Sequence, residues 1–188
     1  MPNPCKNYFY NLAYGEIKKF NFSNVLDCAC GRMDFLNYFS PKNYLGIDID
    51  SERLELGKRK FPHAKIKNCD LFDLKLESQF DLILCFETLG ITKHFNSEKS
   101  LEAIKKILNY LSEDGHFVFN IKNKKYISEI NDYLFKNKKI IVKIKKKYGF
   151  FDKKMNIYLY YLILKFSKFF NFFKLGNSYT FYIIKKIN

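Results

Sequence analysis

At 188 residues the chain has the length of one domain with a core of ordinary size. Its five cysteines include one close pair, Cys28 and Cys30, and C-x-C alone is a poor metal or disulfide signature, so free thiols and no metal are expected. The net charge of +14 lies wholly beyond residue 120: residues 1–120 hold 16 Lys+Arg and 16 Asp+Glu, and the remaining 17 Lys+Arg stand against 3 Asp+Glu.

That asymmetry excludes a nucleic-acid footprint spread over the whole surface. A solvated, lysine-rich surface accounts for it as well as an anionic partner, membrane or nucleic acid, does. The first twenty residues lack the basic start and long apolar core of a signal peptide, so a cytoplasmic location is expected. Residues 5–20 read as a helix with Phe9, Leu12, Ile17 and Phe20 toward the core. Residues 24–27 form a short buried strand, 32–39 a helix and 44–49 a second strand. Residues 51–60 form a helix capped by Ser51, with acids in its first turn. A weak third strand covers 64–67. The run FDLILCF, residues 80–86, is the clearest buried strand. Residues 98–111 are amphipathic, with Leu101, Ile104, Ile107, Leu108 and Leu111 at helical spacing. Asp114–Gly115 ends that helix and turns into a fifth strand, HFVFNI. A helix over 125–136 follows, then two late strands at 140–145 and 179–184. Strand–helix alternation through five strands predicts an α/β fold, a three-layer Rossmann-like sandwich in a single domain over 1–188.

The stretch VLDCACGRMD, residues 25–34, carries the chemistry. A strand ends in an acid, Asp27, and a turn of small residues follows. Asp48 closes the next strand, YLGIDID. Small residues let backbone approach a ligand, free N–H groups at a helix start hold anions, and an acid after the second strand accepts bonds from ribose hydroxyls. A dinucleotide loop would need glycine at positions 29, 31 and 34, where the chain has Ala29, Gly31 and Asp34.

The same stretch resembles the first motif of class I S-adenosylmethionine-dependent methyltransferases, V-L-D-x-G-C-G-x-G. It matches at Val25, Leu26, Asp27, Cys30 and Gly31 and departs at Ala29 and Met33. The resemblance continues in register through YLGIDID, SERLELGKRKFP, NCDLFDL, FDLILCFETLG and LSEDGHFVFNI, over roughly residues 22–122. It implies a mostly parallel seven-stranded sheet with an antiparallel C-terminal hairpin, and S-adenosylmethionine as cofactor. Asp27, Ala29 and Gly31 would then wall the methionine end. Asp48, with Ile49 beside it, would hold the ribose, Asp70 and Leu71 would frame the adenine, and the turn at Phe86–Glu87 would lie near the methyl.

Bases for an acceptor that must lose a proton are Glu87, Thr88 and His94, just after the fourth strand, with His94 the best by intrinsic pKa. His63 and His116 are less well placed. There is no Asp/Asn-Pro-Pro-aromatic segment and no Pro-Cys pair, so a small-molecule or lipid-linked glycan acceptor is expected rather than a nucleic-acid base. Residues 153–175 form an aromatic, basic insertion between the last two strands. Phe166, Phe169, Phe170, Phe172 and Phe173 fall on one side of a helical wheel, as in helices that lie on anionic bilayers. Peripheral membrane contact and packing over the sheet both fit. Similar small bacterial methyltransferases with an insertion here are linked to cell-surface polysaccharide assembly. A non-catalytic binding protein on the same fold and a membrane-associated scaffold are the alternatives to an enzyme.

Overall fold

A computed structural model describes residues 4–90, 96–121, 127–149, 165–166, 170, 172–174 and 177–187. The helices are α1 (Pro4–Ile17), α2 (Ser51–Lys60), α3 (Ser97–Leu108) and α4 (Ile127–Lys136). The strands are β1 (Asn24–Cys28), β2 (Asn43–Asp48), β3 (Lys65–Asn68), β4 (Phe80–Cys85), β5 (Leu111–Ile121), β6 (Ile140–Gly149) and β7 (Asn177–Lys186). They form one sheet in the order β3-β2-β1-β4-β5-β7-β6. The first five are parallel, and β7 runs antiparallel to both β5 and β6.

Alternation of side chains divides the core into two halves, one on each sheet face. Leu26, Cys28, Ile83 and Cys85 face α3 and α4, where Ala103, Ile104, Ile107, Ile130 and Leu134 meet them. Val25, Leu82 and Leu84 face the other way, against Phe9, Ala13 and Ile17 of α1 and Leu54 of α2. This is the expected three-layer sandwich, with the expected C-terminal hairpin. Lys147 of β6 reaches across to the buried Glu16 of α1 at 2.6 Å, tying the hairpin to the first helix. The sheet's outer strands both carry lysines: Lys65 and Lys67 in β3, and Lys143, Lys145, Lys146 and Lys147 in β6.

Strand order reverses between β1 and β4, so their loops diverge and open a crevice at the C-terminal ends, where ligands of such sheets bind. The sequence reading needs correction beside it. No α-helix covers 32–39; a single 3₁₀ turn, Asp34–Asn37, stands there. Met33 precedes it in the left-handed region, φ 54°, which stops a helix from starting earlier. Asp50, extended at φ −88°, caps α2 in place of Ser51, its carboxylate accepting from the Arg53 N–H. Strand β5 begins at Leu111, earlier than the Asp114–Gly115 turn suggested, with a register shift opposite Phe80–Leu82 and Asp114 at φ 60°.

Met33 is fully buried, and two glycines make its room. A Cβ on Gly46 would lie 3.3 Å from its sulfur, and one on Gly57 2.7 Å from its terminal methyl. The Gly57 Cβ would also come within 2.8 Å of the Arg32 carbonyl, so α2 lies directly on the loop backbone. Met33→Ala keeps the left-handed strain and empties this socket, which costs about 2–5 kcal/mol. Gly57→Ala overfills it at about 1–3 kcal/mol. Both variants should unfold at lower temperature than wild type, with Met33→Ala the lower. Unchanged melting in differential scanning calorimetry would show that the socket is not a packing constraint.

Candidate functional site

The loop after β1 has an alternating backbone. Ala29 (φ 55°), Gly31 (φ 56°) and Met33 (φ 54°) are all left-handed. These are the three positions that carry glycine in the motif the sequence resembles, so the loop keeps the glycine conformation with glycine at one of them. A left-handed non-glycine residue costs roughly 1–2 kcal/mol and persists only where its surroundings hold it. Here they do. The Cys30 N–H donates to the Ile47 carbonyl at 3.0 Å, and the Met33 N–H donates to Cys30 at 2.9 Å. The Gly31 N–H donates to Asp48 Oδ2 at 2.6 Å. Asp48 Oδ1 accepts from the Asp50 N–H at 3.0 Å, and the residue is 7% exposed. One carboxylate therefore joins the loop to the end of β2.

Beside this junction lies a cavity of about 520 Å³, the size of a small-molecule site. It brings together Ala29, Asp48, Ile49, Asp70, Leu71, Phe86, Glu87 and Thr88 from four separate segments. Ile49 is 70% exposed although apolar, and it forms part of this wall. Asp70 Oδ1 accepts from the Phe72 N–H at 2.8 Å, and this turn presents Leu71. Gly31 and Asp27 are not on the cavity wall. Gly31 is covered by the Arg53 guanidinium, which a Cβ would meet at 2.8 Å. Asp27 lies behind the loop, 5% exposed, accepting from the Tyr44 hydroxyl at 2.7 Å.

At the other end of the cavity, the Glu87 N–H donates to Asn120 Oδ1 and Asn120 Nδ2 donates back to Glu87 Oε1, both at 2.8 Å. Glu87 itself is left-handed, φ 57°. The Thr88 hydroxyl donates to the Phe86 carbonyl at 3.1 Å. His94 lies outside the described residues. His116 stacks on Phe20 at 3.9 Å, and its pKa is lowered, first by burial; neither it nor His63 lines the cavity.

Sequence reasoning missed Lys6 and Tyr10 of α1, Arg53 of α2 and Lys99 of α3, all on the cavity wall, and Asn120 behind it. Only Asn120 carried a signal, as an amide inside an apolar strand. The others arrive from distant helices. Lys6 is bridged to Asp34 at 3.1 Å, which pins the start of α1 to the loop. Among the described residues no cluster of three or more His, Cys, Asp or Glu could hold a metal ion.

Burial pushes the Asp27 carboxyl up to about 7 against the opposing Tyr44 hydrogen bond. The unfolded value is 3.8, so the unfolded chain releases this proton first as pH rises. The stability gained by keeping Asp27 protonated is full below that value and is lost as pH rises to about 7. Asp27→Asn, which cannot titrate, should flatten the fall in melting temperature between pH 4 and pH 7. An identical pH profile for variant and wild type would contradict a protonated Asp27.

Residues 25–115 match a family model described as a methyltransferase domain. An uncharacterized protein of Rickettsia prowazekii (strain Madrid E) is 31% identical over 97 residues, 46% of this chain, and the aligned part spans only 39% of that relative's length. The N-methyltransferase NodS of Bradyrhizobium japonicum WM9, solved with S-adenosyl-L-homocysteine, superposes with TM-score 0.70 at 14% identity over 100% of this chain and 90% of its own. The plantazolicin methyltransferase BpumL, solved with a triazolic desmethylPZN analog and S-adenosyl-L-homocysteine, gives TM-score 0.64 at 16% identity over 99% and 86%. At these identities the likeness to the solved structures is one of fold. Residues 25–115, just under half of the chain, are thus similar to a methyltransferase domain, and the chain has the fold of these solved methyltransferases.

Proposed function

We propose that this protein transfers the methyl group of S-adenosylmethionine to an oxygen or nitrogen of a small-molecule or lipid-linked glycan acceptor. The observation that carries the reading is the Asp48 carboxylate, which holds the left-handed loop at 2.6 Å and also faces the 520 Å³ cavity. The residues present suit the cofactor. Asp48 would accept from the ribose hydroxyls. The exposed face of Ile49 and the side chain of Leu71 would flank the adenine, with Asp70 at its amino group. Ala29 would offer backbone to the methionine end, with Gly31 and Asp27 behind it. Phe86 and Glu87 would border the methyl.

When bound, S-adenosylmethionine supplies a methyl already activated by its sulfonium. The chain's own contribution is to hold two partners in line and keep water out, and orientation of this kind is worth up to about 7–11 kcal/mol. Glu87 and His94 are the candidates to take a proton from the acceptor. The whole chain is read as one methyltransferase-like unit, with residues 153–175 inserted between β6 and β7.

Calorimetric titration with S-adenosylmethionine tests the reading. Asp48→Asn keeps an acceptor for the Gly31 N–H and removes the charge, so affinity should fall roughly 10- to 100-fold, the value of a hydrogen bond to a charged group. No binding to the wild-type protein would overturn the proposal.

A peripheral membrane contact through residues 153–175 is a second reading. Most of that segment lies outside the described residues, but Phe166, Phe172 and Phe173 within it are 48%, 79% and 55% exposed, next to Lys165 and Lys174. Among the described residues no helix is long and apolar enough to cross a membrane. Aromatic rings beside lysines suit the surface of an anionic bilayer. The protein should sediment with phosphatidylserine-containing liposomes and not with neutral ones; equal recovery with both would reject this contact.

A further inference from the structure

The first turn of α2 puts Arg53 on the cavity wall. Gly57, one helical turn further on, falls on the same side of α2, and a Cβ there would come within 2.8 Å of the Arg32 carbonyl. That face of the helix is therefore pressed against the loop after β1. Asp50 caps α2 through the Arg53 N–H, which fixes the root of the side chain as well. The head of Arg53 is folded back on the loop, over Gly31. A Cβ on Gly31 would meet Nη2 at 2.8 Å, Cζ at 3.0 Å and Nε at 3.4 Å. The left-handed backbone and the overlying guanidinium both call for glycine, and of the loop's three left-handed positions this is the one where glycine stands. The carboxylates of the cavity are engaged elsewhere: Asp48 with the Gly31 and Asp50 N–H groups, Asp70 with the Phe72 N–H, and Glu87 with Asn120. Lys6 is bridged to Asp34. Among the described residues no carboxylate forms an ion pair with Arg53. Burial raises the Tyr10 hydroxyl pKa and the Arg53 charge works against it, which sets the guanidinium toward that ring, at the α1 side of the cavity.

We propose that Arg53 is the counter-ion for the carboxylate of the methionine arm, and so the residue by which the cavity selects a nucleoside carrying a complete amino-acid end. This rests on reading the cavity as the S-adenosylmethionine site. The methionine arm ends in two charges, a carboxylate and an ammonium. Along the loop it would follow, Ala29 offers backbone and no charge. The guanidinium over Gly31 supplies one, two residues further on. Its planar fork matches a carboxylate with two parallel N–H bonds, which the point charge of a lysine does not. Contact with the loop already limits the rotamers of Arg53, so less freedom is lost when a ligand is bound. The same charge turns away the wrong nucleoside. A compound that keeps the sulfonium and the ammonium but lacks the carboxylate would set two positive charges toward Arg53 with nothing to offset them.

Calorimetric titration of the full chain with S-adenosylmethionine and with decarboxylated S-adenosylmethionine tests this, since the two differ only in the carboxylate. The wild-type protein should bind S-adenosylmethionine at least about tenfold more tightly, the value of a hydrogen bond between charged groups. Arg53→Met keeps most of the length of the side chain and removes the fork. It should weaken S-adenosylmethionine about 10- to 100-fold and leave the decarboxylated compound bound as well as before or better. Arg53→Lys, which restores the charge without the fork, should recover part of the preference. A residue that only braced the loop would give a different pattern, with both compounds weakened together. Equal affinity of the wild type for the two compounds would overturn the proposal, as would equal losses in Arg53→Met. A preference that Arg53→Met retains and Lys99→Met abolishes would overturn it too. Binding of neither compound to the wild type would overturn the cofactor reading and this assignment together, whereas binding of both without preference would leave the cofactor reading standing and remove this assignment alone.

Discussion

The site depends on one hydrogen bond, from the Gly31 N–H to Asp48 at 2.6 Å. The loop after β1 is unfavourable by itself, with three alternate residues left-handed and two of them carrying side chains. What keeps it in place is the end of β2, which supplies the Asp48 carboxylate and the Ile47 carbonyl. The parallel pairing of β1 with β2 brings those groups opposite the loop. Met33 then locks the far side of the turn into the gap left by Gly46 and Gly57. Sheet register, loop conformation and cavity wall are thus a single constraint seen at three scales.

The two ends of the cavity are built on opposite plans. At the β2 end, backbone groups converge on a side chain: Asp48 gathers the N–H groups of Gly31 and Asp50. At the β4 end a buried side chain, Asn120, fixes both the backbone and the carboxylate of Glu87. The first arrangement leaves shape and hydroxyl-accepting capacity, which suit a ligand of constant structure. The second fixes one side chain and its own backbone together at the cavity rim.

Most of the sheet could be read from the chain because its central strands are continuous apolar runs and its acids close those runs. Asp48, Asp70, Leu71 and Phe86 were readable for the same reason, since each ends a strand or opens the turn after it. The helix expected over 32–39 failed on a single torsion. The apolar spacing of Met33, Leu36 and Phe39 looks helical, but Met33 is spent as a plug beneath the loop, at an angle no helix tolerates. Asp50 and Ser51 are both good caps, and only the extended backbone at Asp50 decides between them. Lys6, Tyr10 and Arg53 had no local signature, because their place on the wall depends on how α1 and α2 pack over the sheet.

The lysines of the outer strands give the overall charge a different meaning. A sheet that ends in open strands exposes unpaired N–H and C=O groups, and a second copy of the chain can add to them. Strand β6 is ten residues long, enough for such growth, and it carries four lysines; the four-residue β3 at the opposite end carries two. Two copies brought edge to edge would set these charges against one another. Lys143, Lys145 and Lys146 of β6 thus oppose the edge-to-edge addition of a second copy at the longer open edge, while Lys147 is spent on Glu16.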